Sequence, residues 1–340
     1  MTIDTKKLIA VLGASENQGG GVVSALKVRG EFRVRALTRN PEKYRGVADE
    51  VVAADLTRPE TLKAAFDGAY GVFAVTNFWE PGGIDEIAQG EAAVRAAKAA
   101  GVEHFVWSTL PNVEDISGDK YHVPHFTSKA KVDAIVAAAG FSHHSFVIAP
   151  GFYQSFLGNS APQPQQDGSI GWTLPIDGDA RVVHSGDISE LGKIVAGAFA
   201  HPEIAGNGQY LPLVGELLSY HDIVATLNKQ GHAYTFHSAP REVFAAFFPG
   251  AGELAEMFAY FEEYTYLGTP SEERIALANK VAGSRPTDFA TWARTNMPVN
   301  SHQVAPMALQ QRSYFNQHGE SQWLKKGTGS QTAMLQTWMH

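Results

Sequence analysis

His125 and Lys129 are the side chains whose types and spacing most directly suggest chemistry. They stand four residues apart in His125-Phe126-Thr127-Ser128-Lys129, so a helix carries both on one face. An imidazole there can donate a proton near neutral pH, although the neighbouring ammonium disfavours its cationic, donating form. Ser108, at the end of the apolar run Phe105-Val106-Trp107, could orient a carbonyl. Tyr121 lies one turn earlier than His125, but Pro124 interrupts any helix joining the two. Further histidines, among them His143-His144, His184, His201, His221, His232 and His237, are scattered. They form no H-x-x-x-H pair with matched carboxylates, and no metal is expected.

A second constellation is at the start of the chain. Leu8-Ile9-Ala10-Val11-Leu12 feeds the glycine-rich turn Gly13-Ala14-Ser15-Glu16-Asn17-Gln18-Gly19-Gly20-Gly21, and Val34-Arg35-Ala36-Leu37-Thr38-Arg39 follows a helix-like segment. That order is a mononucleotide-binding β-α-β unit, in which glycine lets the backbone approach a pyrophosphate that faces the helix N-terminus. Glu16 stands where the G-x-x-G-x-x-G pattern has its second glycine. Its carboxylate is expected to turn to solvent, and its Cβ to restrict the turn. At the end of the second strand an acidic residue would hold a ribose 2′-hydroxyl, but the chain has Thr38-Arg39-Asn40. A cation there favours a 2′-phosphate, hence NADP(H) over NAD(H).

The elements that must position these groups alternate. Strands are read at 8–12, 33–38, 51–54, 70–75, 105–107 and 145–148, and helices at 19–29, 59–67, 84–100 and 126–139. Apolar strands separated by amphipathic helices make an α/β, Rossmann-type doubly wound parallel sheet. Residues 1–155 are read as this domain, with about 180–215 returning to it, and 156–300 as a smaller, mostly helical one. The aromatics between 236 and 266 are read as the core of that second domain rather than a binding surface. Residues 301–340, polar and without periodicity, read as a tail or arm.

Composition narrows the class. With 340 residues, 44% hydrophobic and 18% charged, the chain can bury a large core. A formal net charge of −8 gives no bulk attraction to nucleic acid or anionic membranes. The absence of cysteine excludes disulfides and thiol switches. No apolar run is long enough to span a membrane or act as a signal peptide, which makes the cytoplasm the default location.

Taken together, the chain resembles the NmrA-like family, atypical members of the extended short-chain dehydrogenase/reductase superfamily. The matching pieces are Gly13-Ala14-Ser15 with Gln18-Gly19-Gly20, Thr38-Arg39-Asn40-Pro41, Asp55-Leu56, Gly68-Ala69-Tyr70, Thr76-Asn77-Phe78-Trp79-Glu80, His125-Phe126 with Lys129, and Pro150-Gly151-Phe152-Tyr153. The resemblance implies that Gly13, Ala14, Ser15, Glu16, Asn17, Gln18 and Gly19 form the pyrophosphate loop. Arg39 and Lys43 would flank the 2′-phosphate, and Asp55 and Leu56 the adenine. Thr76, Asn77 and Phe78 would line the crevice floor. Lys129 and the turn Phe152, Tyr153, Gln154, Ser155 would approach the nicotinamide half.

Typical reductases of that superfamily use Tyr-x-x-x-Lys, the lysine lowering the tyrosine pKa and holding the ribose. Here the lysine is kept and His125 takes the tyrosine's place. The reading that follows is an NADP(H)-binding, redox-sensing regulatory protein without the usual catalytic tyrosine. The alternative is an NADPH-dependent reductase of a small carbonyl, quinone or imine, with Lys129, His125, Ser108 or Tyr121 in the chemistry. A regulatory protein partner, a small-molecule substrate and an oligomer all stay open.

Overall fold

Short apolar runs whose side chains are buried on both faces need cover above and below, and the first half of the chain is built from such runs. The computed structural model describes residues 6–80, 83–158 and 160–299, so the tail or arm read at 301–340 lies outside the described residues. The first strands are β1 (Leu8–Val11), β2 (Arg33–Thr38), β3 (Glu50–Ala53), β4 (Gly71–Ala74), β5 (His104–Thr109) and β6 (His143–Ile148). Then come β7 (Gly151–Phe152), β8 (Gln163–Pro164), β9 (Ile170–Leu174), β10 (Val183–Gly186), β11 (Asn207–Pro212), β12 (Glu216–Leu218) and β13 (Tyr234–Ser238). Seven of them form one parallel sheet in the order β11-β6-β5-β4-β1-β2-β3.

The helices are α1 (Asn17–Arg29), α2 (Leu62–Phe66), α3 (Glu86–Ala99), α4 (Val113–Ser117), α5 (Pro124–Ala138) and α6 (Leu191–Ala200). After them are α7 (Pro202–Ala205), α8 (Tyr220–Lys229), α9 (Arg241–Ala245), α10 (Ala251–Tyr264), α11 (Glu272–Ala282) and α12 (Phe289–Asn296). Alternation along β1 divides the core: Ile9 and Val11 pack with residues of α1, α6 and α11, while Leu8 and Ala10 pack with α2, α3 and α5. Helices α1 and α6 touch through their backbones, since a Cβ on Gly192 would sit 2.1 Å from the Gly21 carbonyl oxygen.

The boundaries differ from the sequence reading where partners decide them. The helix expected at 59–67 is a 3-10 turn at Pro59–Thr61 followed by α2. Helix α5 starts two residues early, with Pro124 in its first turn, where a missing N–H costs nothing. Strand β6 reaches back to His143 because it pairs on both sides, with β5 and β11. From the 180–215 stretch, β11 closes the main sheet, whereas β10 joins β12 and β7 in a separate three-stranded sheet. A third sheet, β13-β9-β8, and helices α8, α9, α10 and α12 surround a core that buries Phe244, Phe248, Phe258, Tyr260, Phe261 and Tyr266. Among the described residues no helix is long and apolar enough to cross a membrane.

Candidate functional site

Strands β1 and β4 are neighbours, yet the chain leads from β1 outward to β2 and from β4 the other way to β5. Such a switch of direction opens a crevice at the carboxyl ends of the strands. Here it has a volume of about 330 Å³, floored by Leu12, Gly13, Val75 and Thr76 and roofed by Leu254 and Met257 of α10 with Tyr266.

Two glycines shape its phosphate-facing wall. Gly13 has φ +65°, a left-handed conformation that favours glycine. A Cβ on Gly19 would lie 2.2 Å from the Gly13 carbonyl oxygen, so only glycine lets α1 start this close to β1. Glu16, by contrast, has φ −97° and ψ 168°, extended backbone open to any residue. The expected restriction from its Cβ is therefore absent. Its side chain is exposed and makes no capping hydrogen bond, which leaves the first N–H groups of α1 without a side-chain acceptor.

At the outer end of the crevice the Arg39 guanidinium is ion-paired with Glu80. Hydrogen bonding to Glu80 raises the arginine's pKa, and the charges of Asp55 and Glu16 act in the same direction. Asp55 itself accepts from the backbone N–H and hydroxyl of Thr57 at 2.9 and 2.7 Å, an Asx turn beneath the same opening.

The inner end is buried. Lys129 Nζ donates to the Thr76 carbonyl (2.6 Å), to Thr76 Oγ1 (3.0 Å) and to Glu86 Oε1 (2.6 Å). Thr76 Oγ1 in turn donates to Glu86 Oε1 at 2.7 Å, and the Ser128 hydroxyl donates to Glu86 Oε2. Burial lowers the lysine pKa while the Glu86 charge and hydrogen bond oppose that shift. An ammonium has three donors, and all three are committed inside the protein. In this arrangement the lysine joins the segment after β4 to α3 and α5, while it still lines the crevice. Ser108 is also engaged, donating to Gln18 Oε1 at 2.7 Å.

His125 is held from the roof. Its Nδ1 is 2.6 Å from Glu253 Oε1 on α10, and its backbone N–H donates to the same oxygen at 3.3 Å. Burial pushes the Glu253 carboxyl up, but the hydrogen bond and charge of His125 outweigh it and leave the pKa lowered. The ring lies 5.2 Å from Trp79 and 6.1 Å from Phe78, centroid to centroid, in an aromatic corner of the crevice.

Gly13, Ser15, Glu16, Asn17, Gln18, Arg39, Asp55, Leu56, Thr76, Asn77, Phe78, Ser108, His125, Lys129, Phe152 and Ser155 all line the crevice. The remaining residues singled out in the sequence are placed elsewhere. Ala14 is buried in the core beneath α1, and Gly19 packs behind the wall against the backbone of Gly13 and Ala14. Lys43 is exposed, with its ammonium 5.8 Å from the Tyr44 ring. Tyr121 donates its hydroxyl to Glu263 at 2.9 Å, and Tyr153 is buried against Phe289 and Trp292. Gln154 donates to Asp187 and accepts from the Ile188 N–H. Glu86, Glu253, Leu254 and Met257 escaped the sequence reading, whereas Tyr266 stood among the aromatics read as the core of the second domain. Nothing local to 251–266 marks it as a roof, whereas Trp79 and Glu80 stood inside a quoted motif.

A parallel sheet with a glycine turn at its switch point and a separate roof defines a Rossmann-type fold. The sequence profile of the NmrA-like family matches residues 5–293, and the chain belongs to that family. The NmrA-like family domain-containing oxidoreductase FrzB of Cladobotryum sp is 32% identical over 241 residues, 64% of this chain and 71% of that protein. Among solved structures, NmrA, a negative transcriptional regulator in complex with NADP, matches with TM-score 0.71 at 22% identity, covering 86% of this chain and 96% of the other. The NADPH-dependent quinone oxidoreductase QOR2 of Escherichia coli, complexed with NADPH, matches with TM-score 0.69 at 20% identity, covering 85% and 99%.

Proposed function

We propose that this chain is a nicotinamide-dinucleotide-dependent reductase of a small carbonyl, quinone or imine, with His125 as the proton donor. The residues fit such a cofactor: the Gly13 turn and the close packing at Gly19 leave a cradle beside an uncapped helix N-terminus. NmrA and QOR2, similar in fold, were solved with NADP and NADPH respectively. A reduced nicotinamide bound in the crevice supplies the hydride.

The observation that carries the reading is the 2.6 Å contact between His125 Nδ1 and Glu253. A carboxylate there accepts from Nδ1 and fixes the ring, which leaves Nε2 as the nitrogen that exchanges a proton. The ammonium of Lys129 is paired with Glu86. As a substrate carbon accepts hydride, His125 gives a proton from Nε2 to the oxygen or nitrogen that gains charge. Phe78, Trp79, Leu254 and Met257 supply an apolar wall for the rest of the substrate.

The test is NADPH oxidation against a panel of carbonyls, quinones and imines. His125→Ala should lower the rate about 10²–10⁴-fold and leave dinucleotide affinity nearly unchanged. A chain that binds the dinucleotide but turns over nothing in the panel refutes this reading in favour of a second one, an occupancy sensor. The full commitment of Lys129 to Thr76 and Glu86 favours that second reading, since it removes the usual lysine from chemistry. A sensor would need a dinucleotide that binds two protein states with different affinity.

A further inference from the structure

We propose that Glu80 is a specificity residue that weakens binding of a 2′-phosphorylated dinucleotide by competing for Arg39. The proposal rests on the dinucleotide reading above. Arg39 follows β2 and Glu80 follows β4, strands on opposite sides of β1, so their ion pair crosses the mouth of the crevice. Both residues line that crevice, together with Asp55 and Glu16. Arg39 is ion-paired with Glu80, and the charges of Asp55 and Glu16 also act on it. Lys43, the other cation expected there, is exposed and does not line the opening.

A 2′-phosphate adds roughly two negative charges to this already negative mouth. To take the Arg39 Nη1 it must displace the Glu80 carboxylate, and at the remaining guanidinium N–H groups it sits beside that like charge. A free 2′-hydroxyl makes neither demand, because it is neutral and bonds equally well to an acid. The carboxylate thus penalises NADP(H) and spares NAD(H). The pair is also accessible, with Arg39 56% exposed and Glu80 23% exposed, so a ligand can exchange partners without unfolding anything.

Isothermal calorimetry with NADP⁺ and NAD⁺ on the wild type, Glu80→Gln and Glu80→Ala tests this, with circular dichroism to verify folding. Both variants should bind NADP⁺ about 3–10-fold more tightly, a gain that fades in high salt, and NAD⁺ within about twofold of the wild type. A smaller gain, a loss, or an equal gain for both dinucleotides overturns the proposal, the last by showing that Glu80 acts on the whole crevice. Failure of the wild type to bind either dinucleotide overturns it together with the reading beneath it.

Discussion

The outer end of the crevice is bridged by Arg39 and Glu80, and the inner end by Lys129 and Glu86. The arginine is 56% exposed, while the lysine is 10% and its glutamate 1% exposed. In water a pair of opposite charges gains little over separate hydrated ions, so the outer pair is exchangeable. The inner pair has no such freedom, since removing either partner strands a charge out of reach of water. One motif, Thr76 to Glu80, contributes to both ends, anchoring the lysine with its first residue and meeting the arginine with its last. The difference between the ends separates a group suited to ligand choice from a group that holds elements in place.

The largest effect that could break this comparison is on stability at the inner end. Glu86→Ala leaves the Lys129 ammonium buried without a counter-charge and should cost about 3–5 kcal/mol in urea unfolding. Pairing Glu86→Leu with Lys129→Met should recover most of that loss. A cost below about 1 kcal/mol in the single variant would mean that the inner pair behaves like the outer one.

A buried carboxyl group without an ion-pair partner among the described residues sharpens the same contrast. Asp133 on α5 accepts from the Tyr210 hydroxyl at 3.0 Å, and hydrogen bonding from Thr109 and Tyr210 opposes the effect of burial. Burial pushes its pKa up to about 7 from 3.8. Between those values the folded state holds a proton that the unfolded state has lost, so this group's contribution to stability falls as pH rises from about 4 to about 7. Buried His104 and His184, lowered by burial to about 3 and about 4, act oppositely and destabilise the fold as pH drops below 6.5. Comparing Asp133→Asn with the wild type isolates the first term. The variant should be more stable by about 2–4 kcal/mol at pH 8 and near-equal at pH 4, read from denaturation at both. A gain independent of pH would show that Asp133 is ionised in the fold throughout.

The smallest effect belongs to the outer pair. Glu80→Gln or Arg39→Ala should shift unfolding free energy by less than about 1 kcal/mol, even where dinucleotide affinity changes several-fold. A large loss of stability in either would make the mouth of the crevice a structural clamp.

How far the sequence could be read depends on the range of the physics involved. The order strand, glycine turn, helix and strand over residues 8–39 is local, because hydrophobic period, turn geometry and helix start are settled within a few neighbours. It therefore foretold the mononucleotide-binding unit, and the same alternation carried on along the first half foretold the parallel sheet. The four-residue spacing of His125 and Lys129 likewise put both into one helix, α5. The partners of those residues lay beyond that range. Glu253 is 128 positions from His125, Glu86 is 43 from Lys129, and Glu80 is 41 from Arg39. Residue types showed which side chains could carry charge or a proton. Only the packing of α3 and α10 paired the lysine with Glu86 and the histidine with Glu253, and only the course of the chain after β4 brought Glu80 to the arginine. A pairing energy depends on distance and burial, and these are set by packing between segments remote along the chain.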